Sequence, residues 1–261
     1  MRVATWNVNS VRARLERLLA WLEKAQPDLV CLQEVKAQAA DFPYEALRAA
    51  GYHAAVYGQK TYNGVAILSR SAPRAVETGL NDAYDDPEAR LITAEYDGLH
   101  VLSAYLPNGA TVGSEKWAYK LEWLARLRAF LDNRFLPDED AVLLCGDFNV
   151  AFDDRDVAQP EDWQGSVLYH PEARDALNAV LDWGLVDTVR LHHEGPGPFT
   201  WWDYRHGAFY RNNGLRIDHI LATPALAARC TGASVDRDER KGDKPSDHAP
   251  VLVEITAGDE L

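Results

Sequence analysis

Polar side chains with catalytic chemistry stand at the ends of short apolar runs in this sequence. Val3-Ala-Thr-Trp stops at Asn7, Leu29-Val-Cys-Leu stops at Gln33-Glu34, and Val142-Leu-Leu-Cys leads into Gly146-Asp147-Phe148-Asn149. Ser246-Asp247-His248 precedes the run Ala249 to Ile255, and Asp218-His219 lies inside the run Leu215 to Thr223. Carboxylates, carboxamides and an imidazole gathered in one cleft can orient a water, stabilise charge growing on phosphate oxygens and assist a leaving oxygen. That is the chemistry of phosphodiester hydrolysis. Glu34 and Asp147 are hard oxygen ligands, which suit magnesium, with manganese as a substitute. Zinc would want more histidine or cysteine at ligand spacing. Taken singly, each feature has a plainer reading. A lone acid such as Glu34 or Asp218 after a strand is commonly a helix cap or a turn residue, Asp147 to Asn149 suits an Asx-type turn, and Asp247-His248 suits a structural pair. Chance does not easily produce all of them together.

The elements that must position these groups follow from hydrophobic periodicity. Strands are expected at Val3 to Asn7, Asp28 to Glu34, Tyr52 to Tyr57, Gly64 to Ser69, Arg90 to Tyr96, His100 to Leu106, Ala141 to Gly146, Ile217 to Thr223 and Val251 to Ile255. Many are continuous apolar runs, as strands covered on both faces require. Val11, Leu15, Leu18 and Leu22 share a helical face after Ser10 as N-cap, and Trp117, Leu121, Leu124 and Leu131 do so after Ser114. A third helix runs from about Pro171 to Trp183 and stops at Gly184. Several strands with a few long helices, and two apparent hairpins at Tyr52 to Ser69 and Arg90 to Leu106, predict an α/β sandwich of two packed β-sheets flanked by helices.

The chain has 261 residues, of which 47% are apolar, enough to bury a core within one domain spanning residues 1–261. No linker or low-complexity tract marks a boundary. The N-terminus lacks the apolar stretch of a signal peptide and no run is long enough to cross a membrane, so a cytoplasmic protein without membrane contact is expected. Cys31, Cys145 and Cys230 are far apart and read as free thiols. A net charge of -13 argues at first against a nucleic-acid partner, but it is unevenly spread. Residues 1–36 carry +2 and residues 200–250 carry +1, which leaves -16 elsewhere. The near-neutral stretches hold most of the motifs, and a bound cation would make their surface locally positive.

At these motifs the chain resembles the exonuclease III and abasic-endonuclease family of the endonuclease/exonuclease/phosphatase superfamily. The likeness covers nearly the whole length, through Thr5-Trp6-Asn7-Val8-Asn9-Ser10-Val11-Arg12, Leu32-Gln33-Glu34-Val35-Lys36, Asn63-Gly64-Val65-Ala66, Tyr105-Leu106-Pro107-Asn108, Gly146 to Asn149, Gly184-Leu185-Val186-Asp187, Arg216 to His219 and Ser246 to Pro250. Asn213-Gly214-Leu215-Arg216-Ile217-Asp218 is the stretch similar to the DNA-repair branch. The resemblance implies a four-layered α/β sandwich, two mixed β-sheets packed face to face and flanked by helices. It implies a magnesium-dependent monomer that cleaves duplex DNA 5' to abasic sites and trims blocked 3' ends as exonuclease and phosphatase. Glu34 would be the principal metal ligand with Asn7, Asn9 and Asp247 nearby, and Asp147 and Asn149 would serve a second metal position. Position 9 is Asn9 where some relatives carry Asp. His248, held by Asp218, would hydrogen-bond the scissile phosphate, and Asn149 and Tyr105 would stabilise the transition state. Asp147 and His248 both qualify as the base, and the donor set admits one ion or two. Trp201, Leu215 and Ile217 would line a pocket for an extruded abasic sugar, which has no base stacking to lose. Arg12, Arg205, Arg211, Asn212, Asn213, Lys241 and Lys244 would meet the DNA backbone. Two other readings are hydrolysis of a small phosphoester and a binding protein that keeps the fold without catalysis. The segment Trp201 to Asp218 disfavours the first, and the intact set of Glu34, Asp147, Asn149, Asp218 and His248 disfavours the second.

Overall fold

Successive residues of a strand face opposite sides of its sheet, so a strand apolar on both sides needs a layer on each. The first strand, β1 (Arg2–Asn7), meets this condition: Val3 packs into one core cluster, while Ala4 and Trp6 pack into another. A computed structural model describes residues 1–256. After β1 come α1 (Leu15–Ala25), β2 (Leu29–Gln33), α2 (Tyr44–Ala49), β3 (His53–Tyr57), β4 (Val65–Ser69), β5 (Ala75–Thr78), β6 (Leu91–Tyr96), β7 (Leu99–Tyr105) and α3 (Glu115–Arg134). Then follow β8 (Ala141–Asp147), α4 (Pro160–Trp163), α5 (Pro171–Leu181), β9 (Val186–Asp187), β10 (Asp218–Ala222), α6 (Pro224–Ala227), β11 (Cys230–Val235) and β12 (Val251–Ile255).

The strands form two mixed six-stranded sheets, ordered β11-β12-β1-β2-β4-β3 and β5-β6-β7-β8-β10-β9. Val3, Cys31, Ile67, Val101, Leu143, Cys145, Ile220 and Val253 fill the space between them. On the outer face of the first sheet, Leu18, Trp21 and Leu22 of α1 pack on Trp6, Val30 and Leu32. Leu124, Leu127 and Leu131 of α3 and Leu177 of α5 cover Leu102 and Leu144 of the second. The result is the expected four-layered α/β sandwich.

Strand direction places the chemistry at one rim. Parallel pairing of β1 with β2 and of β7 with β8 brings four C-terminal ends together. Antiparallel β10 begins beside them, with Asp218 opposite Asp147, and β12 enters the first sheet antiparallel to β1 just after His248. Gly146 permits the close approach of β8 to β7, because a Cβ there would stand 1.9 Å from the Ala104 carbonyl oxygen.

Several elements depart from the sequence expectation. The first helix begins at Leu15 with Arg14, not Ser10, at its N-cap, and the Ser10 hydroxyl accepts only the Ala13 N–H at 3.3 Å. The cause lies in the backbone, since Asn9 and Ser10 have positive φ and the Ser10 and Val11 N–H groups bond Glu34 and Val35 carbonyls. Ser114 does cap α3, accepting the Trp117 N–H. The unexpected strands are β5, β9 and β11: β5 is largely exposed, β9 has two residues, and β11 is a half-buried strand with a register shift. None carries a continuous apolar run. The short helices α2, α4 and α6 were also not foreseen. Cys31 and Cys145 are buried free thiols, and Cys230 is half-buried.

Candidate active site

At the rim the polar groups continue from within the core. Thr5 donates to Gln33 Oε1 at 3.2 Å, and Gln33 Nε2 donates to Ser103 Oγ at 3.1 Å, so the strands are already tied together beneath the cleft. One step further along β1, Asn7 Nδ2 donates to Glu34 Oε1 and to Asp147 Oδ2, both at 2.8 Å. A single buried carboxamide therefore spans the two sheets and sets the spacing of the two acids. Glu34 and Asn149 both have φ of 49°, in the left-handed region. Such backbone costs about 1–3 kcal/mol and is typical of sites whose surroundings overdetermine the conformation.

Ligating atoms of Glu34, Asp147 and His248 lie within 4.8 Å of one another. Beyond them, His248 Nδ1 is 2.8 Å from Asp218 Oδ2 and its Nε2 is 3.6 Å from Asp147 Oδ2. Thr200 Oγ1 fixes the Asp218 carboxylate by donating to Oδ2 at 2.6 Å. Ser246 accepts the His248 N–H and donates to the Asn7 carbonyl, which locks the histidine segment to β1. Asp147 also accepts the Asn149 N–H at 2.9 Å, an Asx-type turn coexisting with its place in the cleft.

These contacts decide the charge states. Burial pushes Asp147 up to about 7; the charges of Asp218 and Glu34 add to this, while His248 and the hydrogen bond from Asn7 oppose it. For His248, burial disfavours the charged form, but Asp218 and Asp147 outweigh it and push the imidazole up to about 10. Both shifts run the same way: the surroundings favour the imidazolium at His248 and make Asp147 hold a proton more readily than a free carboxylate. Burial first, then the charges of Glu34 and Asp147, hold Tyr105 well above the ordinary phenol value, so its hydroxyl stays a neutral donor.

A second group sits along the same rim. Asn9 donates to Asp247 Oδ1 at 3.0 Å, and Trp201 Nε1 donates to Asp247 Oδ2 at 3.0 Å. Burial would raise Asp247, but His248 and these two hydrogen bonds outweigh it and hold the acid below its ordinary value. Asn9 and Asp247 are thus engaged with each other, Asp247 also with Trp201, and Asn9 Oδ1 also with Lys36, the cation paired with Glu34. On the other side, Asn149 Nδ2 donates to the Leu106 carbonyl and its Oδ1 accepts from Asn108 Nδ2. Leu215 and Ile217 are fully buried beneath Trp201 and Trp163, whose rings meet edge to face at 5.8 Å. Arg12, Arg205, Arg211, Asn212, Lys241 and Lys244 are exposed, although Asn212 Oδ1 accepts Trp202 Nε1 at 3.3 Å and Lys241 pairs with Asp238.

Reading the sequence missed four participants. Lys36 Nζ lies 2.8 Å from Glu34 Oε2 and donates to Asn9 Oδ1 at 2.7 Å. Thr200 holds Asp218, Trp163 closes over Trp201, and Lys120 is buried behind Asn149. Only Lys120 carried a signal, as a cation on the apolar stripe of a predicted helix; the others depend on contacts between distant segments. The donor set fits a hard divalent cation: two converging carboxylates, with the nearby Asp218 Oδ1 oxygen buried and without a hydrogen-bond partner among the described residues.

Comparison with known proteins bears on this geometry. Residues 4–248 match the model of the Endonuclease/Exonuclease/phosphatase family. The chain is 36% identical to exodeoxyribonuclease III of Haemophilus influenzae over 98% of this chain and 100% of that protein. An AP endonuclease from Archaeoglobus fulgidus superposes with a TM-score of 0.95 at 40% identity, covering 98% of this chain and 100% of the other. A 3' phosphatase, NExo, from Neisseria, bound to product DNA hairpin, superposes with a TM-score of 0.95 at 41% identity, covering 98% and 100%.

Proposed function

This chain belongs to the endonuclease/exonuclease/phosphatase family, and we propose that its rim cleaves the DNA backbone on the 5' side of abasic sites and removes blocking groups from 3' ends. It is a DNA-repair phosphodiesterase. The observation that carries the proposal is the convergence of Asn7, Glu34, Asp147, Asp218 and His248 from both sheets into one cleft.

In this reading Asp147 takes a proton from the attacking water. Its burial favours the protonated form, which strengthens it as a proton acceptor. Protonated through its contact with Asp218, His248 presents Nε2–H toward the phosphate and stabilises charge there. Tyr105 stays neutral and donates toward the same oxygens. The Asn149 carboxamide gives one Nδ2–H to the Leu106 carbonyl and has its Oδ1 held by Asn108, which leaves the second Nδ2–H to donate to the developing charge. Glu34 and Asp147 would hold magnesium, which when bound supplies positive charge for the phosphate oxygens. Asn7 keeps the two acids at their spacing, and Lys36 balances the charge of Glu34. Asn9 and Asp247 position Trp201 beside the substrate. Arg12, Arg205, Arg211, Asn212 and Lys244 meet backbone phosphates of duplex DNA on exposed loops.

A second reading concerns the balance of activities. Leu215 and Ile217 are sealed under Trp201 and Trp163, so an extruded sugar would have to displace the Trp163 ring, whereas a 3' end would not. Both readings are tested by one assay. The protein is incubated with a duplex carrying an abasic analogue, and separately with a 3'-phosphorylated duplex, each with magnesium or with chelator. Metal-dependent incision beside the lesion supports the endonuclease reading. Processing of 3' ends alone supports the second, and inactivity on both duplexes would sink the proposal.

A further inference from the structure

Lys120 lies on the buried stripe of α3, with none of its surface exposed. Its Nζ donates to the Asn108 carbonyl at 3.1 Å, the Asn149 carbonyl at 2.8 Å and the Val167 carbonyl at 2.6 Å. An ammonium has three N–H donors, and three backbone carbonyls take them all. These acceptors come from three segments: the turn after β7, the turn after β8, and the loop before α5. The side chains of Asn108 and Asn149 are themselves hydrogen-bonded at 3.1 Å, so the ammonium joins from beneath two backbones whose side chains meet above. Gly109 makes the arrangement possible. A Cβ there would stand 3.0 Å from Lys120 Cδ and 3.2 Å from the Trp117 ring, and the residue has a φ of +93°.

A buried lysine is costly. A leucine at this stripe position would supply packing without the expense of desolvating a charge. Burial lowers Lys120, opposed by the charge of Asp147, and the three carbonyl acceptors around Nζ call for the ammonium form. The only hydrogen-bond partners found for Nζ among the described residues are the three carbonyls, and two of them belong to the asparagines beside the cleft. We infer that Lys120 is a positioning residue for phosphodiester cleavage: its ammonium clamps the Asn108 and Asn149 backbones so that the Asn149 carboxamide is held at the reacting phosphate. The inference rests on the role given to Asn149 above and adds the part that fixes it. Through Val167 the same ammonium reaches the segment that carries Leu168 and Tyr169, the packing around Leu215 and Ile217. One cation thus ties the phosphate-facing amide to the floor of the Trp201 pocket.

The test is a double-mutant cycle on the full chain with magnesium, read by steady-state incision of an abasic duplex and removal of a 3' phosphate, with thermal melts alongside. Lys120→Met is expected to lower kcat by roughly 30- to 100-fold with KM within about threefold, the pattern of a displaced group that acts in the transition state. In an Asn149→Ala background the same substitution should cost less than about threefold, because the group it positions is gone. A loss of equal size in both backgrounds, or a rise in KM at unchanged kcat, would overturn the inference while leaving the proposed function standing. If Asn149→Ala alone is silent, the role of Asn149 and this inference fall together. Should Lys120→Met not melt cooperatively, Lys120→Arg carries the test. It keeps the charge but cannot aim three donors from one atom, so a wild-type kcat in that variant would refute the clamp, and a loss coupled to Asn149 would support it.

Discussion

Replacing Arg216 with methionine removes a cation from the base of the catalytic segment at nearly constant volume. Arg216 is fully buried two residues before Asp218. Its Nε and Nη2 donate to Asp156 at 2.6 and 3.1 Å, and its Nη1 and Nη2 donate to Asp187 at 3.1 and 2.7 Å. Burial alone would raise both acids, but the Arg216 guanidinium outweighs it and holds each below the ordinary carboxylate range. After substitution Asp156 retains Arg190 and the Phe152 and Asp153 N–H groups, whereas among the described residues Asp187 retains only the Val189 and Arg190 N–H groups. Breaking a buried pair costs about 3–5 kcal/mol, and the surviving Arg190 contact argues for the lower end, about 3 kcal/mol. In a chain of this size each kcal/mol is worth roughly 2–4 °C, so Tm should fall by about 6–12 °C at neutral pH. The sign of the pH dependence follows from the shifts. In the wild type the two depressed carboxylates contribute stability above their unfolded values, about 4, and lose it as pH falls through their folded values. Without the cation, burial leaves Asp187 raised while Asp156 keeps Arg190, so the variant takes up a proton at Asp187 on folding and regains stability on acidification. The deficit should be largest near pH 7.5 and shrink towards pH 5.5, as followed by circular-dichroism melts. A loss under about 2 °C, or a deficit that grows with acidification, would refute the reasoning.

Other substitutions probe the cleft itself. Asp218→Asn keeps the shape that accepts the Thr200 hydroxyl but removes the charge that favours the His248 imidazolium, so kcat on abasic duplex should fall by about 10²- to 10³-fold with DNA binding retained; equal losses in Kd and rate would count against it. Glu34→Ala should raise the magnesium concentration needed for half-maximal incision and recover part of its activity at high magnesium, whereas a deficit insensitive to magnesium would assign Glu34 a structural role. Trp163→Ala uncovers Leu215 and Ile217, and should shift the ratio of abasic incision to 3'-phosphate removal upward by an order of magnitude or so. An unchanged ratio would mean that the Trp163 ring does not gate the pocket.

Much of the layer architecture was legible because burial on two faces leaves a mark on sequence. The runs that became β1, β2, β4, β7, β8, β10 and β12 are apolar over consecutive residues, and their polar ends announced the rim. The Ser114 cap and the length of α3 were legible for the same local reason, since the cap bond spans three residues. Exposed or two-residue strands such as β5 and β9 leave no such mark, because their pairing is made by backbone groups that every residue carries. The late start of α1 was hidden because the left-handed turn at Asn9 and Ser10 is held by carbonyls of Glu34 and Val35, more than twenty residues away.

The sequence by itself determined which groups stand at strand ends, that they are acids, amides and imidazoles, and that these types together suit metal-assisted hydrolysis of a phosphoester. It could not decide which of them touch. Tertiary structure arranged them: Asn7, Glu34, Asp147, Asp218 and His248 form one cluster, Asp247 joins Asn9 and Trp201, and Asn149 is held over a buried lysine. The physical reason is that hydrogen bonds and pKa values depend on distances of a few ångströms between segments far apart in the chain, as where the Ser246 hydroxyl bonds the Asn7 carbonyl across a separation of 239 residues. Those distances are set by sheet pairing and by packing between the layers, and no local pattern records them.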